Sequence, residues 1–170
     1  MKSVAAGLFY GEIEESSVFP YPGFSEDQRA MAIEMTDAVR KYAADNIDAA
    51  KFDLEEIIPA QVLQGFAEMG LFGMGVKEEF GGLGLDYHLY ARVFSELAGF
   101  DGATTTTLGA HQSIGYRALI NEGTPEQQKK WLPKLASGEW IAAFCLTEPG
   151  AGSDAYSIKT KAVKNSDGTY

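Results

Sequence analysis

Between Trp140 and Asp154 the chain reads Trp-Ile-Ala-Ala-Phe-Cys-Leu-Thr-Glu-Pro-Gly-Ala-Gly-Ser-Asp. An apolar run stops at Thr147, and the loop of small residues behind it carries a second hydroxyl, Ser153. Two hydroxyls and a row of backbone N–H groups are thereby set at the edge of an apolar surface. That combination suits a flat, partly apolar cofactor with a phosphate tail. A glycine loop such as Gly150-Ala-Gly152-Ser153 reads by itself more readily as a turn than as a cofactor site, so its context has to decide.

Other candidates for chemistry are weaker. Gly73-Met-Gly75 opens like a dinucleotide fingerprint, but Glu78 stands at the third glycine position with Glu79 beside it, and carboxylates there repel a pyrophosphate. Gly81-Gly82-Leu83-Gly84 follows no long strand, so both stretches read as turns. His111 has no nucleophile or carboxylate at an obvious partner position and reads as a satisfied structural histidine. Cys145, the one cysteine, lies in an apolar run and reads as an inert core thiol. Glu148 and Asp154 read as turn-capping carboxylates.

The composition narrows the partners. A net charge of −10 argues against nucleic acid, which needs a basic surface. Residues 1–60 carry a net −7 and residues 61–123 a net −4, whereas residues 124–170 carry +1; an anionic ligand is thus most compatible with the segment that holds the glycine loop. One cysteine and two distant histidines make no metal-ligand spacing. No apolar stretch approaches the roughly 20 residues that span a bilayer, and the Val4–Phe9 patch is too short for a secretory leader, so an unprocessed chain is expected.

These groups must be held by something, and the periodicity predicts mainly helices. Residues 1–24 read as an irregular lead-in with Pro20 and Pro22 holding it extended. Ser25 and Gln28 make a capping box for a helix from about Glu26 to Ala49, with Met31, Met35, Ala38, Tyr42 and Ala43 at helical spacing. Pro59 can open a second helix that stops at Gly70, with Val62, Phe66 and Met69 on one face. Asp86 caps a third, carrying Leu89, Val93, Phe94 and Leu97. A nearly apolar fourth helix from about Gly102 to Asn121 is expected to be central and buried, and Thr124-Pro-Glu-Gln127 starts a fifth. From residue 140 the texture changes: Trp140–Thr147 and Ile158–Val163 read as strands and Asn165-Ser-Asp-Gly168 as a hairpin turn. The expected division is a lead-in (1–24), a helical domain (25–139) and the opening of a β domain (140–170).

With that order of elements in view, the chain resembles the acyl-CoA dehydrogenase family, particularly its very-long-chain branch. Cys145–Asp154 looks like the family's flavin-binding segment, and Gly123-Thr-Pro-Glu-Gln-Gln-Lys-Lys-Trp-Leu-Pro-Lys-Leu-Ala-Ser-Gly-Glu139 like the helix and turn before it. Glu79-Phe-Gly-Gly-Leu-Gly84 resembles a loop between early helices. Gly109-Ala-His-Gln-Ser-Ile-Gly115 and Val18-Phe-Pro-Tyr-Pro22 are closer to the very-long-chain branch than to the short- and medium-chain ones. The resemblance implies a mainly α fold: an acyl-CoA dehydrogenase-like N-terminal helical domain followed by the start of a middle β-barrel domain, here truncated.

It also implies FAD as cofactor and an acyl-CoA thioester, of a long-chain type, as substrate. Phe144, Cys145, Leu146 and Thr147 would lie along the flavin ring, with the Thr147 hydroxyl and neighbouring N–H groups on its polar edge. Gly152 and Ser153 would approach the cofactor, with Gly150 and Gly152 letting the backbone come close, and Ser153 could instead contact the acyl-CoA. The family's catalytic carboxylate belongs to a C-terminal bundle that these residues do not include, so no acid here takes that role and the chain alone is expected to be inactive. Electron-transfer flavoprotein is the implied acceptor and a homodimer the implied assembly, with peripheral membrane contact. The expected location is cytoplasmic for a bacterial chain and mitochondrial for a eukaryotic one. An acyl-CoA oxidase and a non-catalytic assembly or binding subunit are the competing readings.

Overall fold

The computed structural model describes residues 4–17, 19–20 and 23–170, so Val18, Tyr21 and Pro22 of the lead-in lie outside the described residues. Among the described residues the chain forms α1 (Val4–Phe9), α2 (Glu26–Asn46), α3 (Ala49–Glu55), α4 (Ala60–Glu68), α5 (Tyr87–Ala98), α6 (Gly102–Ala110), α7 (Arg117–Glu122) and α8 (Pro125–Ala136). The lead-in is thus partly helical rather than irregular, although α1 buries no residue.

Local signals set the helix starts. Ser25 and Gln28 close the predicted capping box on α2, and Thr124 and Gln127 close another on α8. The Asp86 side chain accepts from the N–H groups of His88 and Leu89. Pro59 sits one residue earlier than expected, as the N-cap of α4. Helix α2 ends at Asn46 because Asp48 begins a new one, its carboxylate accepting from the Lys51 N–H at 3.1 Å; a side chain that caps competes with continuing the helix.

The buried face of α2 includes Ala43 as predicted, but is otherwise rotated by one residue from the predicted positions. Ala32, Thr36, Val39 and Ala43 are buried, while Met35 and Tyr42 are half-buried and Met31 and Ala38 exposed. Small side chains on that line let α5 lie close along α2, and the larger ones flank the contact. One core cluster gathers Val39, Phe52, Val62, Phe66, Leu71, Phe72, Met74, Val93, Leu97 and Leu108. A second joins Val76, Tyr116, Leu132, Leu135 and Ala136, with Ala142 packed on it.

Two expectations need correction. The span 102–121 is not one buried helix: α6 gives way to a π turn at His111–Gly115, where the Tyr116 N–H bonds the His111 carbonyl at 3.0 Å, before α7 begins. Ile114 and Ser113 on that turn are exposed. Trp140–Thr147 and Ile158–Val163 form no β-ladder; among the described residues there is only the bridge Glu148–Ala151. A strand is stabilised by its neighbours, and neither segment has one among the described residues. The turn at Asn165–Gly168 does form, with Gly168 at φ +86° and the Asn165 N–H on the Thr169 carbonyl at 2.7 Å.

The glycine stretches act on each other. Leu83 and Leu85 donate their N–H groups to the carbonyls of Gly73 and Met74 at 3.0 and 2.8 Å, so the two loops are zipped together as turns, as the sequence reading has it.

Candidate functional site

The exit from the helical body is anchored at two points. The Trp140 N–H donates to the Lys134 carbonyl at 3.0 Å, and the Lys134 ammonium lies 4.5 Å from the centre of the Trp140 ring. Two residues on, the Ala142 N–H donates to Nδ1 of His111 at 2.9 Å. Ala142 rests on Gly115, where a Cβ would stand 2.8 Å from the Ala142 Cβ.

His111 is fully buried and both its ring nitrogens are engaged. Because Nδ1 accepts from Ala142, the ring proton sits on Nε2, which donates to the Leu135 carbonyl at 3.0 Å. Phe72 and Tyr116 meet the imidazole edge-on. Burial pushes its pKa down, against the pull of the Leu135 and Phe72 carbonyls, and the neutral form results. The satisfied structural histidine read from the sequence is what the structure shows; its link to Ala142, 31 residues away, had no local signal.

Beyond Ala142 the backbone opens. The N–H groups of Ala143 to Thr147 make no hydrogen bond to the described residues, and Phe144 and Leu146 are 55% and 42% exposed. Cys145 is exposed as well. This corrects its reading as a core thiol: an apolar run looks buried in sequence, but no other element among the described residues packs over this one. The Thr147 and Ser153 side chains are exposed and without partner among the described residues. A Cβ at Gly150 or Gly152 would meet nothing within 4 Å, and neither has a positive φ, so the chain's own packing does not require glycine at either place.

Glu148 closes the loop behind this edge. Its carboxylate accepts from the N–H groups of Lys159 and Thr160, each at 2.9 Å, and from the Thr160 hydroxyl. The Lys159 N–H, then the two Thr160 groups, hold its pKa below the usual carboxylate range. Asp154 accepts from Ser157. Both acids are turn-capping groups here, in keeping with the sequence reading.

The structure therefore brings Phe144 to Thr147 into one exposed edge, with Gly152 and Ser153 on the loop that follows. Exposed apolar side chains beside a row of open N–H donors fit a flat ring system with a polar rim.

Sequence reasoning missed a second feature on the same π turn. A recess of about 470 Å³ is lined by Leu85, Tyr87, Tyr90, Gln112, Tyr116 and Arg117 among others. Gln112 is 4% exposed and its Nε2 has no partner among the described residues. The Tyr116 hydroxyl stands 3.1 Å from both the Phe72 carbonyl and Gln112 Oε1, and its single proton serves one of them at a time.

Comparison with known proteins identifies the scaffold. Residues 25–139 match the model of the acyl-CoA dehydrogenase N-terminal domain. The chain belongs to the acyl-CoA dehydrogenase family. It is 45% identical over 170 residues to the mitochondrial very long-chain specific acyl-CoA dehydrogenases of Bos taurus and Homo sapiens, a match that takes in 99% of this chain and 26% of each of theirs. The chain thus spans about a quarter of the length of these relatives. An acyl-CoA dehydrogenase of Bacillus anthracis solved in complex with FAD superposes with a TM-score of 0.70 at 35% identity, over 95% of this chain and 28% of that one. The mainly helical fold and the resemblance stated above are confirmed by these matches.

Proposed function

We propose that the chain is the N-terminal part of an FAD-dependent acyl-CoA dehydrogenase that introduces the α,β double bond into long-chain acyl-CoA thioesters. The observation that carries this reading is the open row of N–H donors from Ala143 to Thr147, flanked by Phe144 and Leu146, in a chain 45% identical to very-long-chain enzymes along its whole length. FAD, when bound, supplies the acceptor for the β hydride. The residues of this chain bind and orient it. Phe144, Cys145 and Leu146 give the ring apolar contact, and the Thr147 hydroxyl with the adjacent N–H groups meets its polar edge. Fixed donors at that edge stabilise negative charge developing on the ring without reorganising during the reaction. Ser153, with Gly150 and Gly152 leaving space around it, contacts the cofactor phosphates or the acyl-CoA.

Residues 25–139 act in this reading as the helical domain and residues 140–170 as the opening of a β domain, with 1–24 as a lead-in. In this reading no acid among residues 1–170 abstracts the α proton, and that carboxylate comes from another part of the enzyme. Electron-transfer flavoprotein as acceptor, a homodimer, peripheral membrane contact and a mitochondrial or bacterial cytoplasmic location complete the proposal.

Anaerobic addition of a long-chain acyl-CoA to the purified full-length protein tests it. Bleaching of the bound flavin, followed by reoxidation by electron-transfer flavoprotein and only slowly by oxygen, is expected. A full-length protein that holds no flavin, or whose flavin no acyl-CoA reduces, would sink the reading; rapid reoxidation by oxygen would make the protein an oxidase.

A further inference from the structure

Among the described residues, the only hydrogen bond between Trp140–Thr147 and a side chain is the one that the Ala142 N–H donates to His111. The bond has a defined polarity. Nδ1 is free to accept because Nε2 keeps its proton on the Leu135 carbonyl, at the end of α8. The imidazole is thus a fixed strut between the last turn of α8 and Ala142, walled by Phe72 and Tyr116. Ala142 lies two residues before Phe144 and five before Thr147. Beyond Ala142 the next hydrogen bonds of the segment are those of Glu148. Whatever fixes Ala142 therefore fixes where the open donor row starts.

We propose that His111 is a positioning residue for the flavin-contacting segment, its Nδ1 lone pair holding Ala142 and through it the donor row from Ala143 to Thr147. The inference rests on the flavin reading above and adds a residue that touches neither cofactor nor substrate. It attaches a role to the side of the imidazole facing residue 142, distinct from the side facing Leu135.

Those two sides can be separated by substitution. In His111→Asn, the amide oxygen stands near the position of Nδ1 and can still accept from Ala142, but the side chain is too short for the Leu135 carbonyl. In His111→Gln, the terminal amide reaches toward Leu135 and leaves no acceptor at the Nδ1 position. The measurements, on the full-length protein, are hydrogen exchange at the Ala142 amide and the rate of FAD release on dilution. For His111→Gln, both are expected to rise about tenfold, the loss of roughly one hydrogen bond. His111→Asn is expected to stay within about threefold of the wild-type rates, even where its melting temperature falls as far as that of His111→Gln.

Equal loosening of the flavin in both variants, or an Ala142 amide that stays protected in His111→Gln, would overturn the proposal and leave His111 a packing residue. A wild-type protein that takes up no FAD would instead remove the functional reading, and the Ala142 exchange comparison would still decide the anchor.

Discussion

The Thr147 hydroxyl has no partner among the described residues, and that makes it testable in isolation. If it meets the polar edge of the flavin, Thr147→Ala removes one donor and leaves the fold untouched. Flavin reduction should then slow by roughly tenfold, less than the loss of a donor that works alone, because the neighbouring N–H groups share the load. Thr147→Ser should restore most of it; equal rates for all three proteins in stopped-flow reduction would remove the assignment. Tyr116 makes the opposite kind of test. Its buried hydroxyl donates to the Phe72 carbonyl or to Gln112 Oε1, so Tyr116→Phe leaves one more buried acceptor unpaired and should cost about 1–3 kcal/mol in urea denaturation. At this scale the sequence was legible where chemistry is intrinsic to the residue: His111 as a satisfied histidine, Glu148 and Asp154 as caps. It was not legible for Cys145, whose apolar neighbours suggested burial, nor for the His111–Ala142 bond, which depends on a fold bringing together residues 31 positions apart.

Elements followed local chemistry when their signals were local. Both capping boxes and the Asp86 cap form where Ser25, Thr124 and Asp86 place them. Thr124→Ala should accordingly destabilise α8 by about 1 kcal/mol, visible as a lower urea midpoint with an unchanged slope; no shift in the midpoint would show that Gln128, whose amide reaches the Leu119, Ile120 and Gly123 carbonyls, holds that junction alone. The zipped glycine loops give a larger effect. A Cβ on Gly82 would stand 2.1 Å from the Val76 carbonyl oxygen, against backbone that is itself buried. Gly82→Ala should cost about 2–3 kcal/mol by overpacking, whereas Gly81→Ala meets open space and is disfavoured only by its φ of +82°. A Gly82→Ala protein as stable as wild type would mean the two loops can part. The α2 face was misplaced by one residue because periodicity weights the large Met and Tyr side chains, while close packing against α5 selects Ala, Thr and Val. The strands at 140–147 and 158–163 failed to form for a different reason: a helix bonds within itself, but a strand's bonds belong to residues elsewhere in the chain.

For the whole molecule, the same buried imidazole couples folding to pH. Burial holds the His111 pKa below its ordinary value, and no charged group acts on it to oppose that. Above about pH 6.5 the residue is neutral both folded and unfolded, and it costs nothing. As the pH falls below that value, the unfolded chain takes up a proton that the folded chain refuses. Stability then declines by at most about 1.4 kcal/mol per pH unit until the pH passes the folded-state pKa. Protonation in place would also put a hydrogen on Nδ1, facing the Ala142 N–H, so the loss of stability and the loss of the anchor share one cause. Carboxylates act in a separate window. Burial works to raise the pKa of Glu96, but hydrogen bonds from Arg40 and Arg92 outweigh it and hold the group low, so its contribution persists above about pH 4.5 and is lost only below. Between about pH 7 and 5.5 the wild-type urea midpoint should therefore fall more steeply than that of His111→Asn, which has no titrating group at position 111. Parallel curves for the two proteins would place the titration on another group and leave the buried imidazole without a part in it.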